Sequence, residues 1–444
     1  MGNIYNYLKL AFLDLKQYTT RHPYLIFVLL VLLTIPLNYA VNSIALALFA
    51  IFTIVTFKKA HFVFNANLLL PVLLYVLMVG SYAWSIDGQS TIGALSKEVP
   101  LLVLPLAFMM FPAFSSGQRK LVIKWFSWGI VGYCVFYLLK AAVRFAMTGD
   151  ESVFFYHELV TKDVNAIHVS VYVAVAFMWF FTKSQKSIAD IGAATLLFAM
   201  VFLLSSKNII IAFVGLVLIH QLFYTKISKR LRLKNLILLL ALLVSLTFIG
   251  KIKDRFKAEY ETMMTDSSVN DVIFKPEDKV YNVSIKQAWT NETFQPNDYF
   301  PGTAFRVYQF RIFTEMLQED AIFWTGYGLN ASYPKIEEKA LQYNLFLGNE
   351  SQPGYQTKNF HNQYIQNFAE LGIFGLLLLL AMLFINLRNG IKSKDFVHIT
   401  FAVLMISLFL TESFLWRQRG VMFFTVLYCL YNAQSTNAPA RENI

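Results

Sequence analysis

Phe360-His361-Asn362-Gln363-Tyr364-Ile365-Gln366-Asn367-Phe368-Ala369-Glu370-Leu371-Gly372-Ile373-Phe374-Gly375 runs directly into the leucine block Leu376–Leu380. This stretch sets a histidine and an amide at the mouth of an apolar helix, just after the longest polar loop of the chain. A polar pair at that boundary costs little, because water reaches it, and the leucine block behind it reads as a membrane span. Such a boundary is also where a membrane enzyme meets the head group of a lipid-linked substrate while the lipid tail stays in the bilayer.

Working outward, composition sets the class. The chain has 444 residues, is 57% hydrophobic and only 15% charged, and its mean hydropathy is +0.51. A soluble protein cannot hide so much apolar surface, so an all-α polytopic membrane protein is expected. The 42 Phe and 23 Tyr suit lipid-facing surface and interfacial aromatic belts. Cys134 and Cys429 fall in apolar segments and give no disulfide framework. Lys9, Lys16 and Arg21 precede the first long apolar run without a small-residue cleavage site, so that run reads as a retained span.

Hydropathy places about twelve spans, each near the roughly 20 residues that cross a bilayer. They lie near 23–39, 42–57, 64–83, 98–114, 122–147, 166–182, 188–205, 208–224, 235–250, 362–387, 396–411 and 418–433. The net charge of +11 is distributed in alternate loops: Lys58-Lys59, Arg119-Lys120, Lys183 with Lys186, the run from Lys226 to Lys234, and Arg388, Lys392 and Lys394. The positive-inside rule makes these loops cytoplasmic, and an even span number then puts both termini inside. The charge is a topology signal, and no nucleic-acid module is present. Three regions are expected: an N-terminal bundle at 1–250, a long outward loop at 251–361, and C-terminal spans with a short tail at 362–444. The loop is mixed polar and aromatic, broken at Pro296, Pro301-Gly302 and Pro353-Gly354, and Thr303–Glu319 reads as an amphipathic helix.

Basic residues on the outward side run against the positive-inside bias. Lys207 sits between two spans with almost no loop, either as a site cation or as a snorkelling lysine. Arg306 and Arg311 are five apart on the amphipathic helix and so point to different faces. Gly326 and Gly328, in Trp324-Thr-Gly-Tyr-Gly328, either let backbone approach closely or make a plain turn. His361 opens its span and Asn362 is placed to cap it. Glu370 lies two to three turns further in, where a charge is expensive unless it faces the bundle interior. Glu412, Arg417 and Arg419 decorate the last outward loop, as site residues or as an ordinary ion pair. No GxxxxGK[ST], GxGxxG after a strand, Cys/His metal spacing or HExxH occurs, so no metal or nucleotide cofactor is expected. An already activated substrate is then required, and outward Lys and Arg suit a phosphate-bearing one.

Taken together, the order of motifs resembles the O-antigen ligase and O-antigen polymerase family of bacterial inner-membrane glycosyltransferases. The resemblance covers most of the chain. It rests on His361-Asn362-x-Tyr364 with Glu370-Leu-Gly372-Ile-x-Gly375, on Arg306-Val-Tyr-Gln-Phe310 with Gly326-Tyr-Gly328, and on Ser205-Ser-Lys207. Weaker echoes are Trp84-Ser-Ile-Asp87, Asn165-Ala-Ile-His168 and Glu412-Ser-Phe-Leu-Trp-Arg-Gln418. Two positions depart from the family pattern: its span-end arginine is Lys207 here, and the usual loop Trp is Phe310.

What the resemblance implies is a metal-independent transfer at the periplasmic face of the inner membrane. The donor is a glycan on undecaprenyl diphosphate, and Lys207, Arg306 and His361 surround the diphosphate as the catalytic set. Asn362, Arg311, Tyr364, Glu412, Arg417 and His168 are further candidates for binding substrate. A ligase would pass the glycan to lipid A-core. A polymerase would pass it to another lipid-linked repeat, and a third variant would use a different acceptor. From another class, a lipid transporter also fits twelve spans, but no pair of matching halves is evident.

Overall fold

The computed structural model describes residues 22–162, 164–225, 230, 232–233, 237, 259–261, 265–270, 279–350 and 352–433. These are overwhelmingly helical, as an apolar chain in a bilayer requires: with no water to satisfy backbone N–H and C=O groups, each segment must satisfy its own. Five helices are long and apolar enough to cross a membrane, at Ala66–Ala83, Gly88–Met110, Ser116–Thr148, Lys207–Tyr224 and Gln363–Ser393. Five shorter apolar helices accompany them, at Tyr24–Thr34, Tyr39–Val55, Ala166–Thr182, Ile188–Leu203 and Phe396–Phe409. The span expected at 235–250 lies outside the described residues except for position 237.

In chain order we label the helices α1 (Tyr24–Thr34), α2 (Tyr39–Val55), α3 (Ala66–Gly80), α4 (Gly88–Glu98), α5 (Pro100–Met110), α6 (Ser116–Thr148), α7 (Ala166–Thr182), α8 (Ile188–Leu203) and α9 (Lys207–Ile219). Local chemistry marks their ends. Ser115 with Gln118 and Ser187 with Asp190 form capping boxes at the heads of α6 and α8. Asn165 caps α7 by accepting from the Ile167 N–H. Pro100, which has no N–H to offer, opens α5 directly after α4.

Between α9 and the next apolar helix the chain builds a second, separate unit. It holds α10 (Ile285–Thr290), α11 (Gly302–Glu319) and α12 (Tyr333–Gln342), with the three two-residue strands β1 (Ser268–Val269), β2 (Tyr281–Asn282) and β3 (Asp298–Tyr299). β1 and β2 pair antiparallel and β2 and β3 parallel. The sheet was not legible in the sequence, because two residues carry no alternation to read. The expected amphipathic helix is α11. Its buried face carries Phe305, Tyr308, Ile312, Phe313 and Met316, packed with Phe294, Phe300, Tyr343 and Phe360 in a core distinct from that of the bundle.

The chain closes with α13 (Gln363–Ser393), α14 (Phe396–Phe409) and α15 (Gln418–Asn432). Every residue of α15 from Arg419 onward is buried, as is most of α7. Helices apolar on all sides belong at the centre of a bundle, and α7 packs on α6, α8 and α14 while α15 packs on α5. Cys134 and Cys429 are buried and unpaired. Outward, Ile44, Ile51, Ile54, Val55, Leu139, Val143, Ile211 and Phe384 are exposed. Such a dispersed apolar coat is what a lipid-facing surface requires.

One irregularity locks the two units together. α13 departs from helical geometry at Gly372 (φ 65°, ψ −165°). The break frees backbone groups that would be costly to leave unpaired. The 323–328 segment takes them up: Tyr327 N–H donates to Ala369 O at 2.9 Å, Gly328 N–H to Glu370 O at 2.9 Å, and Ile373 N–H to Phe323 O at 2.8 Å. A Cβ at Gly326 would lie 2.3 Å from the Glu370 carbonyl carbon, and one at Gly372 would lie 2.2 Å from Trp324 O. Of the two readings of the Gly-Tyr-Gly motif, close backbone approach is therefore the one observed.

Candidate active site at the head of α13

Three places distant in sequence meet above α13: the turn before α9, the first turn of α11, and the 411–417 segment between α14 and α15. Each is fixed by its own hydrogen bonds. At the first, Asn208 donates to Ser407 O at 2.6 Å and to Thr411 Oγ1 at 2.8 Å, and accepts from Ser407 Oγ at 2.6 Å. This rivets the start of α9 to the end of α14. The neighbouring Lys207 Nζ lies 2.5 Å from Glu259 Oε2.

Glu259 carries the connection onward. Its Oε1 accepts from the Thr303 N–H at 2.8 Å and from the Thr303 hydroxyl. Burial opposes ionisation of this carboxyl, but Lys207 and Thr303 outweigh it and hold the pKa below the usual carboxylate range. One turn along α11, Arg306 spreads its guanidinium over fixed acceptors. Nη1 donates to Gly302 O at 2.8 Å, and Nε and Nη2 donate to Thr411 O at 2.9 and 2.7 Å. Nη2 also lies 3.4 Å from Glu412 Oε1.

His361 completes the group. Its Nδ1 is 3.6 Å from Glu412 Oε2, an electrostatic contact slightly longer than a hydrogen bond. The residue has φ 48°, a conformation uncommon for a non-glycine, and its N–H donates to Asn359 Oδ1 at 3.0 Å. The ring meets Phe305 edge-on at 5.7 Å. Burial resists the charge on Glu412, yet His361, Arg306 and the nearby His168 prevail and keep its pKa below the ordinary range. The side chains of Lys207, Arg306 and His361 stay 27%, 28% and 31% exposed, so a ligand can reach all three.

The remaining candidates divide. Asn362 caps α13, accepting from the Tyr364 and Ile365 N–H groups, and its amide donates to Leu410 O at 3.3 Å. Tyr364 donates its hydroxyl to Ile406 O at 3.0 Å. Both tie α13 to α14 beside the site. His168 is buried, its ring 4.3 Å from Phe414. Arg417 is exposed and forms no ion pair among the described residues. Arg311 is turned away. It bonds Glu315 at 3.1 Å, Asn291 O at 2.7 Å and the Tyr343 hydroxyl at 2.9 Å, all within the second unit.

Two features escaped the sequence reading. Glu259 has no motif, and its partners lie 44 and 52 residues away. The other is a buried polar ladder on α13. Gln363 Oε1 accepts from the Leu415 N–H at 2.7 Å, and Gln366 Oε1 accepts from Ser413 Oγ at 3.2 Å and the Phe360 N–H at 3.3 Å. Gln366 in turn donates to Glu370 Oε1 at 2.5 Å, which also accepts from Ser332 at 3.2 Å. Three polar residues at helical spacing, Gln363, Gln366 and Glu370, in an apolar span were the available signal. Among the described residues, no group of three or more His, Cys, Asp or Glu is placed to hold a metal ion.

The assembled cluster sets two fixed cations and an imidazole around two carboxylates, in reach of solvent. Such an arrangement can take up a phosphate-bearing ligand and move a proton beside it. A family model described as O-antigen ligase matches residues 192–380, a stretch that contains Lys207, Glu259, Arg306 and His361 but not Glu412. No curated protein matches the chain. Over this matched stretch the chain is similar to the O-antigen ligase family.

Proposed function

We propose that the protein is an O-antigen ligase that moves a glycan from undecaprenyl diphosphate to a lipid A-core acceptor at the periplasmic face of the inner membrane. The observation that carries this reading is the convergence of Arg306, His361 and Lys207 around Glu412 and Glu259 at the head of an apolar helix. A diphosphate beside a membrane span demands fixed cations outside the bilayer and an apolar path for its lipid. The alternation of basic loops supports the same topology: twelve spans, both termini cytoplasmic, the 251–361 region outside, and the bundle divided into 1–250 and 362–444.

The transfer proceeds in one displacement. An acceptor hydroxyl oxygen attacks the anomeric carbon of the donor glycan. The bond from that carbon to the diphosphate oxygen breaks, and undecaprenyl diphosphate leaves with the electron pair. Arg306 and Lys207 stabilise the charge that develops on the diphosphate. His361 takes the hydroxyl proton, and Glu412, 3.6 Å from its ring, stabilises the imidazolium that forms. No step of this scheme draws on a metal.

The test is a lipopolysaccharide gel from a deletion strain complemented with wild type or His361→Ala. A ligase predicts that the deletion leaves bare lipid A-core while long glycan accumulates on undecaprenyl diphosphate, and that His361→Ala fails to restore it. Core carrying a single repeat would make the protein a polymerase instead. An unchanged gel would move the acceptor elsewhere.

A further inference from the structure

The 411–417 segment has a second end, and side chains from two other parts of the chain gather there. Lys97, at the end of α4, holds its ammonium 5.4 Å from the centre of the Trp416 ring. Tyr333, which opens α12, lies 5.6 Å from the same ring at 45°. Arg417 follows directly in sequence. Lys97 and Arg417 are exposed, Tyr333 and Trp416 half-buried, and neither cation forms an ion pair among the described residues. Ordinary surface cations are solvated singly. Here one lies over the Trp416 ring and another follows that residue in sequence, beside an aromatic pair that is built from separate elements.

That combination has a specific chemistry. The C–H faces of a pyranose stack on aromatic rings, and ammonium and guanidinium groups take a phosphate or carboxylate. The position is as telling as the composition. Trp416 is four residues from Glu412, at most about 14 Å of extended chain. An oligosaccharide can bridge that distance. The intervening residues are pinned: Phe414 packs on His168, and Ser413 and Leu415 are held by Gln366 and Gln363 of α13. The spacing between the two ends of the segment is therefore set by the fold.

We propose that Lys97, Tyr333, Trp416 and Arg417 form the acceptor subsite, and that the acceptor is an anionic glycan. Its phosphate or carboxylate is held by the two cations and a sugar ring lies on the aromatic pair, so that the reacting hydroxyl faces His361 and Glu412. This inference rests on the transfer reading above.

The test uses the full chain in detergent and a phosphorylated core oligosaccharide as probe. Phosphatase-treated oligosaccharide and an oligosaccharide carrying a uronic acid serve as the second and third probes. Binding is read by thermophoresis, with undecaprenyl diphosphate titrated in parallel. Lys97→Gln and Trp416→Leu should each weaken the anionic probe by about tenfold or more, with undecaprenyl diphosphate affinity moving by less than about twofold. Trp416→Phe, which keeps the aromatic face, should bind nearly as wild type does and guards against a folding artefact. Loss of binding after phosphatase assigns the anion to phosphate, and binding of the uronic acid probe assigns it to carboxylate. Unchanged affinity in Lys97→Gln and Trp416→Leu, or no binding of either anionic probe by wild type, overturns the proposal. Failure of the transfer reading registers separately, as wild-type transfer rates in Arg306→Ala and His361→Ala.

Discussion

Arg306 and His361 face opposite oxygens of one carboxylate: Arg306 Nη2 lies 3.4 Å from Glu412 Oε1, and His361 Nδ1 lies 3.6 Å from Glu412 Oε2. Glu412 thereby links the two side chains. An arriving diphosphate competes with Glu412 for Arg306, while the carboxylate keeps its contact with the His361 ring. Glu412 lies outside the residues matched by the family model; the sequence offered it as a weaker echo, and the geometry joins it to the cluster.

Glu412→Gln tests that link. The amide keeps an acceptor for Arg306 but removes the charge that stabilises an imidazolium. Transfer at saturating donor should fall by about 10²-fold, in the range of general-base effects, while donor affinity stays near wild type. Steady-state rates with purified protein decide it, and an unchanged kcat removes Glu412 from the chemistry.

Acid should loosen the site before alkali does. Glu259 and Glu412 both have pKa values held below the usual carboxylate range. A depressed group contributes stability that is fully present above its unfolded pKa, about 4.3 for Glu, and that is lost as pH falls through the lower native value. The apparent unfolding midpoint in detergent should therefore drop below about pH 4.3. Glu259→Gln should shallow that acid limb and leave the midpoint at pH 7 to 9 without a new slope. An acid limb identical to wild type would show that Lys207 and Thr303 do not depress the Glu259 carboxyl.

The two cations should not tolerate exchange equally. Arg306 grips Thr411 O with Nε and Nη2 and Gly302 O with Nη1, and a lysine cannot reproduce that fork. Lys207 makes a single point contact with Glu259. Arg306→Lys should cost about 10- to 100-fold in transfer, whereas Lys207→Arg should stay within about fivefold, since it keeps the charge. A loss in Arg306→Lys as small as that expected for Lys207→Arg would mean that charge alone matters at position 306.

Backbone contact at the α13 break sets a stability prediction. Gly326→Ala and Gly372→Ala each force a side chain into positive φ and against a carbonyl group of the facing strand of backbone. Each should cost about 1–3 kcal/mol or more, read as a lower melting temperature in detergent. Because both disturb the same interlock, the double variant should lose less than the sum of the two. Full additivity would argue that the two glycines act independently.

What the sequence made legible follows from how the signals arise. Apolar runs, the amphipathic periodicity of α11 and the Asn362 cap are local patterns: the described apolar helices fall on those runs, α11 covers Gly302–Glu319, and Asn362 caps α13. The assignment of faces on α11 was not local. Spacing separates Arg306 from Arg311 by direction, but only the packing of Phe305 and Tyr308 into the second core turns Arg306 toward Glu412 and leaves Arg311 against Tyr343. Glu259 was invisible for the same reason, since nothing near it in the chain marks its partners. The Gly-Tyr-Gly motif was ambiguous until the broken turn at Gly372 supplied the backbone that it meets.

The ladder beneath His361 yields the last prediction. Gln366 holds the Phe360 N–H and Ser413 Oγ, and so fixes the residues that precede His361 and follow Glu412. Glu370 in turn anchors Gln366 through Oε1, which also accepts from Ser332. Glu370→Gln retains a carbonyl oxygen at that place, so the anchor survives. Glu370→Ala leaves the Gln366 amide and the Ser332 hydroxyl buried without an acceptor, at a cost of about 1–3 kcal/mol. The alanine variant should lose transfer rate through a misplaced His361, with the loss in kcat rather than in donor KM, and the glutamine variant should recover most of it. A purely structural role would lower the melting temperature and leave the rate of the remaining folded protein intact. Equal loss of rate in both variants would instead require the carboxylate charge of Glu370, and the ladder would then be part of the chemistry rather than its scaffold.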